Sequence, residues 1–207
     1  MTAPEPSAPS AWFELRHAST GRPIFVVVPE RRMLAIHGAG PRTAEDFRLA
    51  ATVLRTVADL ARDSLPRIQR SEPRRQVVEI TWPIDGRLTI DEILEALDDD
   101  RQPWRQMIEL SGRVTDAAAN KAIDTVRRLG GRDMPLVRLL RITEGSAAQI
   151  LHTGSGALPD CVRTLLRLVI EAGLRPAGDL HEIVLADAAA VGRERSRSIL
   201  RVPVGPG

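Results

Sequence analysis

A repeated order of elements constrains this chain more than any single motif does. The first copy is a strand at residues 33–37, a Gly-rich turn, a helix at 43–61 and a strand at 76–82. The second is a strand at 147–153, a Gly-rich turn, a helix at 159–172 and a strand at 180–185. This duplication predicts two strand-helix-strand-strand modules that join through their sheets. A cleft between paired modules is a common ligand site.

The remaining elements follow from periodicity and from turn residues. Further strands are predicted at residues 24–28, 104–110, 136–142 and 198–204, with a turn or short helix at 188–194. Thr43 with Asp46, and Thr89 with Glu92, have the spacing of capping boxes at helix starts. Thr115 caps another helix, which ends at Gly130. Strands and helices do not alternate regularly, so the predicted class is α+β.

The clearest predicted helix lies at residues 159–172. Its apolar positions fall on one face, formed by Val162, Leu165, Leu166, Val169 and Ile170. Residues 1–22 are rich in Pro, Ala and Ser and are expected to be a disordered tail. We expect residues 23–207 to form one domain, with modules at about 23–135 and 136–207.

The charge pattern argues against nucleic acid as a direct partner. The 29 basic residues face 27 acidic ones, and the arginines are scattered. Nucleic-acid binding is usually accompanied by a positive stripe with interleaved aromatic residues, and this chain has three Trp, three Phe and no Tyr. No apolar run reaches membrane-spanning length. We expect a cytoplasmic protein without membrane contact, either a monomer or a homodimer.

The sequence predicts no cofactor and no metal. It contains neither a phosphate-binding Gly-rich loop nor a nucleophile elbow. His152 and His181 have no ligand partner two or four residues away, so a hydrogen-bonded structural histidine is the simpler interpretation. Cys161 has no neighbour that would lower its pKa, which favours packing over a nucleophilic role.

Glu182 is the candidate for chemistry. It lies in the predicted strand at residues 180–185, and both faces of that strand are largely apolar. A carboxylate in apolar surroundings must form an ion pair, accept hydrogen bonds, take up a proton or contact water. It could hold a cationic ligand or act as a general base through a water. A strand residue satisfied by solvent or by an arginine is the alternative.

Three motifs together resemble the stand-alone GyrI-like small-molecule-binding family. They are EGSAAQILHTG at residues 144–154, LHEIVLAD at 180–187 and SILRVPV at 198–204. The N-terminal half agrees more loosely, through LAIHG at 34–38, PIDG at 83–86, and Trp104 with Met107. The resemblance covers about residues 23–204 and implies two modules around a shared cleft.

The resemblance implies a free-standing binder of bulky hydrophobic or aromatic molecules, serving drug or toxin resistance or sensing. Glu182, Trp104, His152 and Met107 are the ligand-binding residues that we predict. Some family members open the cyclopropane of DNA-alkylating natural products, which makes Glu182 a candidate general base. A tyrosine usual after the segment 152–154 is replaced by Ser155 and Gly156. A protein-partner role, such as topoisomerase inhibition, is the third alternative.

Overall fold

The computed structural model describes residues 22–66, 76–131, 134–154, 156–186 and 191–207, and it confirms the α+β class. The strands are β1 (Ile24–Val28), β2 (Arg31–Ala39), β3 (Val78–Trp82), β4 (Pro103–Glu109), β5 (Arg138–Ile142), β6 (Gly145–Thr153), β7 (Leu174–Pro176), β8 (Leu180–Ala186) and β9 (Arg197–Pro206). The helices are α1 (Glu45–Asp63), α2 (Ile90–Leu97), α3 (Asp116–Gly130) and α4 (Leu158–Glu171).

Most elements lie within a few residues of their predicted bounds, and two differences have clear causes. α1 begins at Glu45, with Ala44 and not Thr43 at the N-cap, and no side chain caps it. A turn closed by the Ala44 N–H and the Pro41 carbonyl at 2.9 Å precedes the helix and displaces the predicted cap. The three-residue strand β7 was not predicted, because it is too short for alternation and pairs only with the end of β9.

Two predictions fall wholly or partly outside the described residues. The tail at 1–22 is one, apart from residue 22. The predicted turn or short helix at 188–194 is the other, and its described part contains a 3₁₀ turn at Arg193–Arg195.

One antiparallel sheet contains both modules. Its strand order is β1-β6-β9-β8-β3-β4-β2-β5, with β7 beside β9. Within it, β3-β4-β2 and β8-β9-β6 repeat the same spatial arrangement, which confirms the predicted duplication. The two copies meet where β3 pairs with β8, and Ile80 lies directly opposite Glu182. The pseudo-twofold relation therefore brings Glu182 to the centre of the sheet.

The short strands β1 and β5 are exchanged between the modules. β1 precedes β2 along the chain but pairs with β6, so that Val28 lies opposite Gly145. β5 precedes β6 but pairs with β2, so that Arg31 lies opposite Ile142. Each module thus extends the sheet of the other. This exchange draws the two edges together and curls the sheet into a half-barrel.

The helices cover one face of the sheet as two separate pairs. α1 and α3 pack over β2, β3 and β4, while α2 and α4 pack over β6, β8 and β9. The predicted inner face of α4 is confirmed at four positions, but Ile170 is exposed. Leu97, at the end of α2, contacts both hydrophobic clusters. The cleft between the helix pairs therefore lies over the central strands.

The opposite face of the sheet contains a buried ion cluster of Arg31, Glu79, Glu144 and Arg201. Arg31 donates to both Glu79 oxygens, at 2.5 and 2.9 Å, and to Glu144 Oε1 at 2.5 Å. Arg201 donates to Glu144 at 3.4 Å and to Gln149 at 3.0 Å. Burial is the largest single effect and lowers the pKa of Arg31, but the carboxylates of Glu79, Glu144 and Glu109 together outweigh it, so the net pKa is raised. Two buried guanidinium groups therefore pair with two buried carboxylates, and Glu109, whose side chain is 18% exposed, adds a third carboxylate 3.7 Å from Arg31.

Removing one member of this cluster leaves a buried charge without its partner, which is strongly destabilising. We predict that Arg31→Met lowers the free energy of unfolding by about 3–5 kcal/mol. Arg101→Met is the matched control, because Arg101 pairs with Asp99 at the exposed surface. It should change stability by less than about 1 kcal/mol. Urea unfolding followed by tryptophan fluorescence measures both, and equal losses would contradict the prediction.

Candidate functional site

The centre of the helix-covered face contains a carboxylate, Glu182, which is 8% exposed. Alternation along β8 places Leu180, Glu182 and Val184 on this face, and His181 and Ile183 on the other. β8 is a central strand, between β9 and β3. Glu182 is therefore held by paired backbone on both sides, at the point where the two modules meet.

Arg42 is the partner of this carboxylate. Its Nη2 donates to Glu182 Oε2 at 2.5 Å, although the two residues are 140 positions apart in sequence. Arg42 lies in the turn between β2 and α1, where the N–H of Gly40 donates to the Gln102 carbonyl at 3.2 Å. Gly40 has a φ of +108°, a conformation that favours glycine. The Gly-rich turn of the first module therefore sets the position of Arg42.

Trp82 completes the site. The Arg42 guanidinium carbon is 4.2 Å from the centroid of the Trp82 ring, a cation–π geometry. Trp82 is 7% exposed, whereas the Arg42 side chain is 44% exposed. One guanidinium thus contacts a carboxylate and an aromatic face at once, and it lies between both groups and solvent. This carboxylate–indole site, Glu182 with Trp82, has the chemistry that recognises an organic cation.

Trp104, predicted as a ligand platform, lies on the same face but packs as a core residue. It is 4% exposed and makes an edge-to-face contact with Phe47 of α1, with the ring centroids 5.0 Å apart. A Cβ added at Gly38 would come within 2.3 Å of the indole, so the ring lies directly over that glycine. Trp104 therefore leans toward β2 and away from β3.

The structure does not bring His152 and Met107 together with Glu182. His152 lies on the helix-covered face, but its strand is two strand spacings, about 10 Å, from β8, and it is also two residues further along the sheet than Glu182. Its Nε2 lies 3.2 Å from the Gly156 carbonyl oxygen, so it is a hydrogen-bonded histidine at a strand end. Met107 is fully buried on the opposite face, among Met33, Ala35 and other apolar residues. Alternation along β4 places it on the other side of the sheet from Trp104.

Two site residues received no role from the sequence. Trp82 was only one of three available indoles, and nothing in its local pattern distinguished it from Trp104. Arg42 was one scattered arginine after a Gly-rich turn. The predicted duplication could have identified Arg42 as a site residue, because it brings the turn of the first module to the same cleft as Glu182.

Other reactive groups in the described residues have structural surroundings. Burial raises the pKa of the Cys161 thiol to about 11, in line with the predicted packing role. In the part of the chain that the structure describes, no group of three or more His, Cys, Asp or Glu side chains could hold a metal ion. No helix within that part is long and apolar enough to cross a membrane.

Similarity to known proteins is found among solved structures. No protein-family model and no curated protein matches the chain. A crystal structure of an uncharacterized conserved protein from Listeria innocua has 24% identity and a TM-score of 0.74, over 93% of this chain and 96% of that one. What the two share is the fold.

Two further structures support the same conclusion. A hydrolase from Listeria innocua has 23% identity and a TM-score of 0.71, over 94% of this chain and 97% of that one. The C-terminal domain of EcmrR has 10% identity and a TM-score of 0.58, over 90% and 98%. At these identities the likeness concerns the architecture, in which two modules share one curled sheet.

His181, the neighbour of Glu182, faces the buried ion cluster. Its Nδ1 lies 3.7 Å from Glu144 Oε2 and 3.9 Å from Glu79 Oε2. Burial lowers its pKa to about 4, despite the opposing effect of Glu79, and Arg201 and Arg31 lower it further. The imidazole is therefore neutral in the folded protein at neutral pH.

This lowered pKa predicts that acid destabilises the fold. The unfolded chain takes up a proton on His181 near pH 6.5, and the folded chain only near pH 4, so stability falls as the pH drops between these values. From pH 7 to pH 5 we expect a loss of about 2 kcal/mol in the free energy of unfolding from this residue.

Urea unfolding at several pH values measures this loss. His181→Gln should remove most of the slope above pH 5. His37→Gln is the control, because burial also lowers the pKa of His37 but that side chain is much less enclosed. An unchanged slope in His181→Gln would show that the histidine is not the source.

Proposed function

We propose that this protein binds bulky aromatic or hydrophobic small molecules that carry a positive charge, in the cleft over β3 and β8. The observation behind the proposal is the carboxylate–indole site, where Glu182 and Trp82 together hold a guanidinium. An aromatic face attracts a cation through its quadrupole, and a partly desolvated carboxylate adds charge complementarity. Both groups are nearly enclosed, which strengthens these interactions relative to water.

The surroundings of the site favour an apolar ligand body. Ile80 lies beside Glu182 in the sheet, Leu200 lies on its other side, and Leu97 lies where the two hydrophobic clusters meet. Ligand pockets are typically apolar with a few placed polar groups. A ligand that spans the two helix pairs would bury its rings against these side chains and its charge against Glu182. A role in drug or toxin resistance, or in sensing, stays a prediction.

Hydrolysis is the second candidate, and the position of Glu182 favours it specifically. A carboxylate in a cleft can take a proton from water while the water oxygen attacks a strained carbon. For a cyclopropane, a C–O bond forms as a C–C bond breaks, and the released carbon accepts a proton. One of the Listeria structures is named a hydrolase. Arg42, however, occupies one of the two Glu182 oxygens and shows that the site accepts a cation, which supports binding as the primary function.

A titration with tetraphenylphosphonium, a bulky aromatic cation, tests the binding proposal. We expect Glu182→Gln and Trp82→Ala each to weaken binding roughly tenfold to hundredfold, because each removes one partner of the charge. Glu171→Gln, an exposed glutamate on α4, is the matched control and should leave the affinity unchanged. Calorimetry gives the affinities, and equal binding by Glu182→Gln and wild type would contradict the proposal.

The same proteins separate binding from hydrolysis. Each is incubated with a cyclopropane-bearing alkylator, and the ligand is then examined by mass spectrometry. A product heavier by one water, formed by wild type and not by Glu182→Gln, supports hydrolysis. Tight binding with unchanged ligand mass supports the binder. Binding of neither compound would leave a protein-partner role, the third prediction, as the surviving alternative.

A further inference from the structure

Arg42 occupies the place that the proposed ligand's charge would take. Its guanidinium contacts Glu182 Oε2 at 2.5 Å and the Trp82 ring at 4.2 Å. These are the two partners that the proposed function assigns to an organic cation. A single ring face and a single carboxylate oxygen cannot serve two cations at these distances. The arginine and the ligand therefore exclude each other.

Arg42 also separates the site from solvent. Glu182 and Trp82 are 8% and 7% exposed, while the Arg42 side chain retains 44% of its exposure. An arginine that served only to neutralise a buried charge would itself be expected to be enclosed, as Arg31 is at 5%. Arg42 instead reaches in from the surface, since it is an exposed residue in the turn between β2 and α1.

We propose that Arg42 is an internal competitor that covers the carboxylate–indole site and must swing out before a ligand enters. This inference rests on the proposed function and adds a residue that sets the affinity of the site. Arg42 thereby keeps the Glu182 carboxylate paired in an apolar cleft. A ligand must bind tightly enough to displace it.

The local structure permits this movement at small cost. The cationic ligand limits the cost, because its charge replaces the guanidinium beside the buried Glu182 carboxylate, which is then not left unpaired. The displaced Arg42 side chain, already 44% exposed, regains contact with water. The turn that holds Arg42 begins at Gly40, and α1 after it starts without a side-chain cap, so no side-chain hydrogen bond at the N-cap fixes the turn to the helix. Rotation of the Arg42 side chain would take the guanidinium off the face of the Trp82 ring.

If Arg42 competes with the ligand, removing the Arg42 side chain should increase the affinity of the protein for a cationic ligand. We expect Arg42→Ala to bind tetraphenylphosphonium about tenfold more tightly than wild type, since the competing cation is gone. Arg48→Ala is the matched control, because Arg48 is an exposed arginine six positions further along and its removal changes the net charge equally. It should leave the affinity within about twofold.

A double variant tests whether the competition operates through Glu182. In a Glu182→Gln background Arg42 has lost its charged partner, so Arg42→Ala should then change the affinity by less than about threefold. Circular dichroism verifies that each variant is folded. A full tenfold gain in the Gln background would overturn the assignment, because the arginine would then act on the ligand without Glu182.

The remaining outcomes distinguish this inference from the proposed function. If wild type binds the cation and Arg42→Ala binds it equally or more weakly, the competitor role is wrong and the binding proposal stands. If Arg42→Ala binds the cation and wild type does not, the competitor role is supported in its strongest form. If neither protein binds it, the proposed function fails and this inference fails with it.

Discussion

The buried ion cluster is the constraint on which the rest of the architecture depends. Arg31, Glu79, Glu144 and Arg201 come from β2, β3, the turn before β6, and β9, so they join strands of both modules. Buried charges are tolerated only when they are paired and balanced. The cluster therefore favours the one arrangement in which β1 and β5 are exchanged and the edges of the sheet converge.

Charged groups lie on both faces of the sheet, and strand β8 contributes a residue to each face. On β8, His181 faces the ion cluster and Glu182 faces the cleft, although they are adjacent in sequence. The charges of the cluster are paired with one another, and His181 stays neutral beside them. Glu182 thus has the exposed Arg42 as its partner, on the face away from the ion cluster.

Helix starts and buried helix faces could be predicted from the sequence where the interacting residues lie close together along the chain. The capping box of Thr89 and Glu92 forms both of its hydrogen bonds, because all its atoms lie within one turn of helix. The inner face of α4 follows from a period visible in the sequence. The Thr43 cap was wrong because the turn between Pro41 and Ala44, next to the long-range bond from Gly40 to Gln102, moves the start of α1 to Glu45. Arg42 was not assigned because its partner lies 140 residues away.

A crystal structure of the protein with tetraphenylphosphonium bound would show the site most directly. We expect the cation against Trp82 and Glu182, in the cleft between the two helix pairs, with the Arg42 side chain turned toward solvent. The ion cluster on the opposite face should be unchanged. A ligand bound elsewhere on the protein, with the Arg42–Glu182 pair intact, would contradict it.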